Sequence, residues 1–235
     1  MIGNIGIMIA LKALLIWLGF ANPCALLAAE KAPVSLIKPE FTCGMLIDLS
    51  QHQKKVIGFE RQALDSVRSK MDGLVSEAFF MKYGDRIDLL QDWTGLEGGP
   101  EKIHRQIEVD SESRSGKTLL YDGLDAGIEK LKAKANSGSK ILIVIGEGND
   151  SGSIARYAEV KKLAQSANVR CFALLVADHN LRGGRVRHFG FYLYDLTKAT
   201  RGAGFDIEAS NKRLDKAVGK ILERIQFDRQ KSQDR

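Results

Sequence analysis

Cysteine is scarce. Three occur in 235 residues, and Cys24 falls in an N-terminal segment that reads as removable, so a small domain held together by disulfides is excluded. Proline and histidine number only four each, and no glycine repeat, heptad pattern, internal repeat or low-complexity tract runs through the chain. Collagen-like, coiled-coil and wholly disordered classes fall away on those grounds. What is present, 44% hydrophobic and 27% charged residues, suits one medium domain with a sizeable core, or two small ones. No large excess of one charge exists either: 35 basic against 29 acidic side chains give +6. Residues 182–235 carry 13 basic and 7 acidic groups, whereas 30–181 carry 21 and 22, so the basicity belongs to the C-terminal quarter.

The first 29 residues hold a single charge, Lys12. An apolar run at 13–20 (ALLIWLGF), a helix-breaking Asn22-Pro23 and small residues up to Ala29 follow it, which is the make-up of a secretory signal peptide cleaved after Ala29. A start at Met8 would give an ordinary charged n-region. The alternative is an uncleaved anchor, since the apolar run approaches spanning length. Cys24 lacks the small-residue approach of a lipid-modified cysteine. The expectation is an exported chain, periplasmic or secreted, that contacts a membrane only through an uncleaved N-terminus.

Residues 30–40, with Pro33 and Pro39, read as a linker, 41–227 as the domain and 228–235 as a charged tail. Within 41–227, apolar runs alternate with helical stripes. Phe41–Leu49, 140–145 (KILIVI) and 169–177 (VRCFALLVA) are runs expected of strands buried on both faces. Residues 78–83 and 86–93 suggest a strand pair turning at Gly84-Asp85, and Gly204–Ile207 a short edge strand. Helical spacing predicts a stripe of Phe59, Ala63, Val67, Met71 and Leu74, and another of Leu120, Leu124, Ile128 and Leu131. It also predicts a weak helix at 101–107, helices over 154–167 and 194–200, and a final stripe of Leu214, Val218, Ile221 and Ile225. Residues 110–117 read as a polar loop. The pattern argues for an α/β, Rossmann-like open and mainly parallel sheet flanked by helices, whose working residues collect at the C-terminal strand ends.

Three segments therefore draw attention. Asp48-Leu-Ser50-Gln-His52 ends the first strand, Gly116-Lys-Thr118-Leu-Leu-Tyr121-Asp122 opens a helix, and Gly146-Glu147-Gly-Asn-Asp150 follows the third apolar strand. With the segment Leu193…Thr197…Thr200-Arg-Gly-Ala-Gly-Phe205, their order and spacing resemble a von Willebrand factor A-type (VWA) domain. The nearest variety is the VWFA-related one of exported bacterial proteins, and the resemblance spans residues 41–227. It implies a non-catalytic protein-interaction module with strand order 3-2-1-4-5-6. It also implies a metal-ion-dependent adhesion site, in which Mg²⁺ or Mn²⁺ keeps one position open for a partner's carboxylate.

Asp48, Ser50 and Thr118 match that site's pattern, and oxygen ligands suit a hard cation. His52 stands where a second serine is usual and Glu147 where an aspartate is usual. Three states follow: Mg²⁺ bound with His52 aside, a softer metal such as Zn²⁺ taken through His52, or a degenerate site without metal. Alternatively, Ser50 and His52 are a solvated loop, with Ser50 capping a helix.

Two enzyme readings compete. One is a metal-assisted hydrolase built on Glu147 and His52. The other is a P-loop at Gly116-Lys117-Thr118, which lacks the earlier glycine (Ser111 stands there) and follows an acidic stretch that would repel phosphate. Arg182, Arg185 and Arg187 form a basic loop that suits an acidic partner or anionic lipid, or is merely solvated. The aromatics of 189–194 (FGFYLY) read as strand or core packing, and in an exported chain the basic quarter does not imply nucleic acid. Cys43 and Cys171 fall in the first and fifth strands of the implied order. With a strand between them their Cα atoms stand roughly 9–10 Å apart, beyond disulfide reach, so both should be buried free thiols.

Overall fold

The computed structural model describes residues 41–96, 101–111, 116–134, 139–176 and 190–233, without the side chains of residues 52, 102, 108–111 and 228–233. The signal-peptide reading of 1–29 and the linker lie outside them, as does the basic loop with Arg182, Arg185 and Arg187. Six strands form one sheet: β1 (Phe41–Asp48), β2 (Val75–Tyr83), β3 (Ile87–Thr94), β4 (Ser139–Gly146), β5 (Val169–Leu175) and β6 (Ala203–Asp206). Their order is β3-β2-β1-β4-β5-β6. Only the β2–β3 hairpin is antiparallel; the other pairs are parallel. The helices are α1 (Ile57–Met71), α2 (Glu101–Ser111), α3 (Leu120–Ala133), α4 (Tyr157–Ser166), α5 (Phe191–Ala199) and α6 (Asn211–Gln233). Among the described residues no helix is long and apolar enough to cross a membrane.

Alternation along the central strands sorts the core into two layers. Cys43, Met45 and Ile47 of β1 join Ile141, Ile143 and Ile145 of β4 on the face covered by α1, α2 and α6. Leu46, Leu142 and Val144 point to the other face, where Leu120, Leu124, Ile128 and Leu131 of α3 meet them, together with α4 and α5. Each such fully buried side chain contributes about 1.5–3 kcal/mol relative to exposure. The apolar strand runs are thus explained: both faces of the sheet are dry.

Cys43 and Cys171 are free and buried. Cys43 pairs in register with Ile141 and Cys171 with Leu142, so one residue of offset on β4 puts the thiols on opposite faces as well as two strands apart. Burial raises both thiol pKa values and keeps the groups protonated and unreactive.

Five boundaries and one buried position differ from the sequence expectation. The helix expected from Ile154 begins at Tyr157; Ile154 is 92% exposed, and its amide is held by Asp122 of α3. Leu74 lies past the end of α1, beyond Gly73 with φ +75°. On α1 itself Phe59 packs half-buried against the core, and Glu60 beside it is fully buried. The aromatics from Phe191 onward start a helix and stay exposed (Phe191 60%, Tyr192 47%) instead of packing in the core. Finally α2 runs to Ser111 and α6 to Gln233, past residue 227.

Candidate functional site

The parallel strands β1, β2 and β4 end together, and each ends on a residue of the site: Asp48, Tyr83 and Gly146. Asp48 pairs in register with Tyr83, and alternation aims it at the α3 side. Its carboxylate is buried (1% exposed), and Oδ1 accepts the amide of Ser50 at 2.9 Å. Ser50 is itself buried and starts a single 3₁₀ turn, Gln51–Gln53, without capping it through its side chain.

Gly146 makes room for this. A Cβ there would lie 2.3 Å from the Asp48 Cβ and 2.6 Å from the Tyr83 hydroxyl. Any larger residue would occupy the space in which Asp48 and Tyr83 face each other.

The electrostatics are costly. Burial pushes the Asp48 carboxyl from 3.8 up to about 6, and the Glu147 carboxylate adds to the rise. The amide and hydroxyl of Ser50 and the amide of Glu147 pull it back. Burial, followed by the charges of Asp48, Glu60 and Glu147, holds the Tyr83 phenol well above its usual range. A negative potential therefore sits over the C-terminal end of β1.

Two further residues shape it that spacing did not single out. Gln53 is buried in the 3₁₀ turn, its amide nitrogen donating to Glu60 Oε1 (3.0 Å) and its oxygen accepting from the Glu147 amide (3.3 Å). Glu60 is fully buried on α1. Its signal was a carboxylate set three, four and seven residues before Ala63, Leu64 and Val67, inside the apolar stripe. Gln53 carried no comparable signal, because the alternate-residue pattern pointed to His52. The backbone of His52 belongs to the 3₁₀ turn, and its side chain is outside the described residues.

Thr118 is buried on the neighbouring segment, just before α3. Its amide donates to Ser151 Oγ and its carbonyl accepts from the Ser151 amide, both at 2.9 Å. The next residue, Leu119, donates to the Gly84 carbonyl, and Gly84 packs against the backbone of Leu49 and Ser50. The structure thus brings Asp48, Ser50 and Glu147 into contact and sets the Thr118 segment beside them through Gly84.

The residues after Glu147 act as a clamp on α3. Asp150 Oδ1 accepts from Tyr121 (3.2 Å) and Ser153 Oγ from Asp122 (3.1 Å), satisfying amides at the helix start. The Asp122 carboxylate reaches back to the amides of Ile154 (3.0 Å) and Ala155 (2.7 Å). That reciprocity is why α4 cannot begin at Ile154. It also answers the P-loop reading, since the amides of Thr118, Leu119, Tyr121 and Asp122 are taken by protein groups and the preceding element is a helix, not a strand. Asp122→Ala is expected to cost about 1–3 kcal/mol in urea unfolding and to speed amide exchange at Ile154 and Ala155. Unchanged exchange there would contradict the clamp.

No family model matches the chain, and no curated protein matches it. Solved structures do. The VWA domain of SpRpn10 aligns with a TM-score of 0.54 at 14% identity, over 76% of this chain and 94% of that one. The fold is that of a von Willebrand factor A-type domain. An aerotolerance-related membrane protein from Bacteroides fragilis NCTC 9343 aligns at 0.55 and 12% identity, over 79% of this chain and 98% of that one. The pilus adhesin SpaC from Lactobacillus rhamnosus GG aligns at 0.54 and 13%, over 79% of this chain and 30% of the adhesin.

Among the described residues, the donors that the β1, β4 and Thr118 segments offer at this end of the sheet are oxygens: the Asp48 and Glu147 carboxylates and the Ser50 and Thr118 hydroxyls. Among the described residues no three carboxylate, imidazole or thiol groups converge as a metal cage. With two carboxylates and two hydroxyls the chemistry suits a hard divalent cation held partly by water. A cation would also offset the potential that raises the Asp48 and Tyr83 pKa values.

Proposed function

We propose that this chain is an exported protein-interaction module. Its loops at the C-terminal end of β1 and β4 hold Mg²⁺ or Mn²⁺ through Asp48, Ser50, Thr118 and Glu147, directly or through water, and leave one position for a carboxylate of a protein partner. The observation that carries this reading is the buried Asp48 carboxylate facing Glu147 at the strand ends. A fold stabilised only by packing gains nothing from burying one carboxylate beside another, and a cation turns that cost into affinity. The metal supplies one thing, an electrophilic centre for an outside acid. Ser50 fixes the Asp48 carboxylate, Gly146 keeps space open beside it, and the Asp150–Asp122 clamp holds the Thr118 segment in place.

Export and a protein partner are supported by the N-terminal composition and by the likeness to a membrane protein and a pilus adhesin. On this reading the chain has no catalytic residue.

Thermal unfolding tests the metal. At about a hundredfold excess over its dissociation constant, Mg²⁺ should stabilise the chain by about 2.7 kcal/mol, or several degrees. Thr118→Ala should lose most of that increment while keeping a similar metal-free midpoint. Absence of any shift with Mg²⁺ or Mn²⁺ would remove the metal from the reading and leave a scaffold.

A further inference from the structure

The basic excess of the C-terminal quarter has a structural location. Helix α6 carries seven basic and three acidic residues. Among the described residues two of its charges are paired: Asp215 with Lys70 at 2.7 Å and Arg213 with Glu208 at 2.6 Å. Lys216 and Lys220 are exposed and make no ion pair among the described residues. With Arg213 they lie three, four and seven residues apart, on one stripe of the helix. That stripe lines a groove of about 240 Å³ whose other wall is Gly204, Phe205 and Asp206 of β6. Arg213, Lys216 and Lys220 line that groove, with Asp206 the one acidic residue among its lining.

β6 is the last strand of the sheet, and among the described residues nothing pairs with its outer edge. In a parallel ladder the amide and carbonyl of one residue face the same neighbour, and the direction alternates along the strand. Ile207 donates inward to the Leu175 carbonyl at 3.1 Å. Phe205 therefore faces β5 too, and Gly204 and Asp206 turn their amides and carbonyls to the open side, beside the groove.

We propose that this edge is a second binding site, which takes an acidic protein segment as an added strand. The backbone of the segment pairs with Gly204 and Asp206, and its carboxylates meet Lys216 and Lys220. The observations select a peptide over other polyanions, because a sulfated glycan or an anionic lipid neutralises lysines but offers no ladder to strand amides. Edge lysines also serve simply to discourage self-pairing. These lysines stand on the helix across the groove, where they meet the side chains of an incoming strand.

The test uses the full chain and a fluorescein-labelled peptide of alternating Glu and Val, read by anisotropy. A second peptide has the same charge but N-methyl groups on alternate amides. Binding is expected to weaken at least about tenfold on methylation, and again in the double variant Lys216→Glu/Lys220→Glu. Exchange at the Gly204 and Asp206 amides should slow when the unmethylated peptide is present. Equal affinity for the two peptides would reduce the site to charge attraction and overturn strand addition. Failure of the unmethylated peptide to bind, or full affinity in the double variant, would remove the site altogether. Both lysines are exposed, so an unchanged circular dichroism spectrum and melting temperature show that the variant is folded.

Discussion

Gly202→Ala is expected to be severely destabilising. A Cβ at Gly202 would fall 1.7 Å from the carbonyl oxygen of Cys171 and 2.7 Å from its carbon. These are backbone atoms of β5, which is fixed on both sides by the β4 and β6 ladders. The turn is fixed too: Gly202 donates to Thr197 O at 2.7 Å, and the Cys171 amide donates to Thr200 Oγ1 at 3.0 Å. Overpacking usually costs about 1–3 kcal/mol where side chains can shift, and here neither partner can. A loss above about 3 kcal/mol is expected, a large share of the roughly 5–15 kcal/mol that holds a domain together. Gly219→Ala is the control: nothing lies within 4 Å of its added Cβ on α6, so it should stabilise by about 0.5–1 kcal/mol. A Gly202→Ala midpoint in urea equal to that of the parent would contradict the close contact of this turn with β5.

The second large effect has the opposite sign. Asp48→Asn is expected to make the metal-free chain more stable at pH 7. The native Asp48 carboxyl titrates at about 6 against an ordinary 3.8, mainly because it is buried. The folded state therefore holds this proton more tightly than the unfolded chain does. Its contribution is fully present below about pH 3.8 and is lost as the pH rises through about 6, amounting to about 3 kcal/mol of penalty at neutral pH. Asparagine removes the charge and keeps an acceptor for the Ser50 amide. A gain of about 1–3 kcal/mol, several degrees in melting temperature, should appear in chelator at pH 7 and shrink towards pH 4. A variant less stable than the parent at pH 7 without metal would mean that Asp48 is structural, and the functional argument would lose its base.

The parts of the fold legible in the sequence were those set by burial alone. The run at 140–145 announced β4 because both faces of a central strand are dry, and Leu120, Leu124, Ile128 and Leu131 announced α3 because one face is. The strand order came with the resemblance, and the structure agrees with it. Asp48, Ser50 and Glu147 stood out in the sequence because loops at parallel strand ends must converge, and the structure places them side by side. Contacts between distant segments had no local signature. The amides of Ile154 and Ala155 are claimed by Asp122, which the helical look of 154–167 could not reveal. Phe191 and Tyr192 read as core because they are aromatic, yet they stay exposed at the start of α5. Gln53 was passed over because its role depends on Glu60 of α1 and the backbone of Glu147, brought together only by folding.

Calorimetric titration of the chain with Mg²⁺, Mn²⁺, Ca²⁺ and Zn²⁺, repeated on Asp48→Ala, tests the central claim most directly. The account predicts saturable binding of Mg²⁺ or Mn²⁺ at one site in the parent and none in the variant. No heat with any of the four ions, or binding that survives Asp48→Ala, would contradict it.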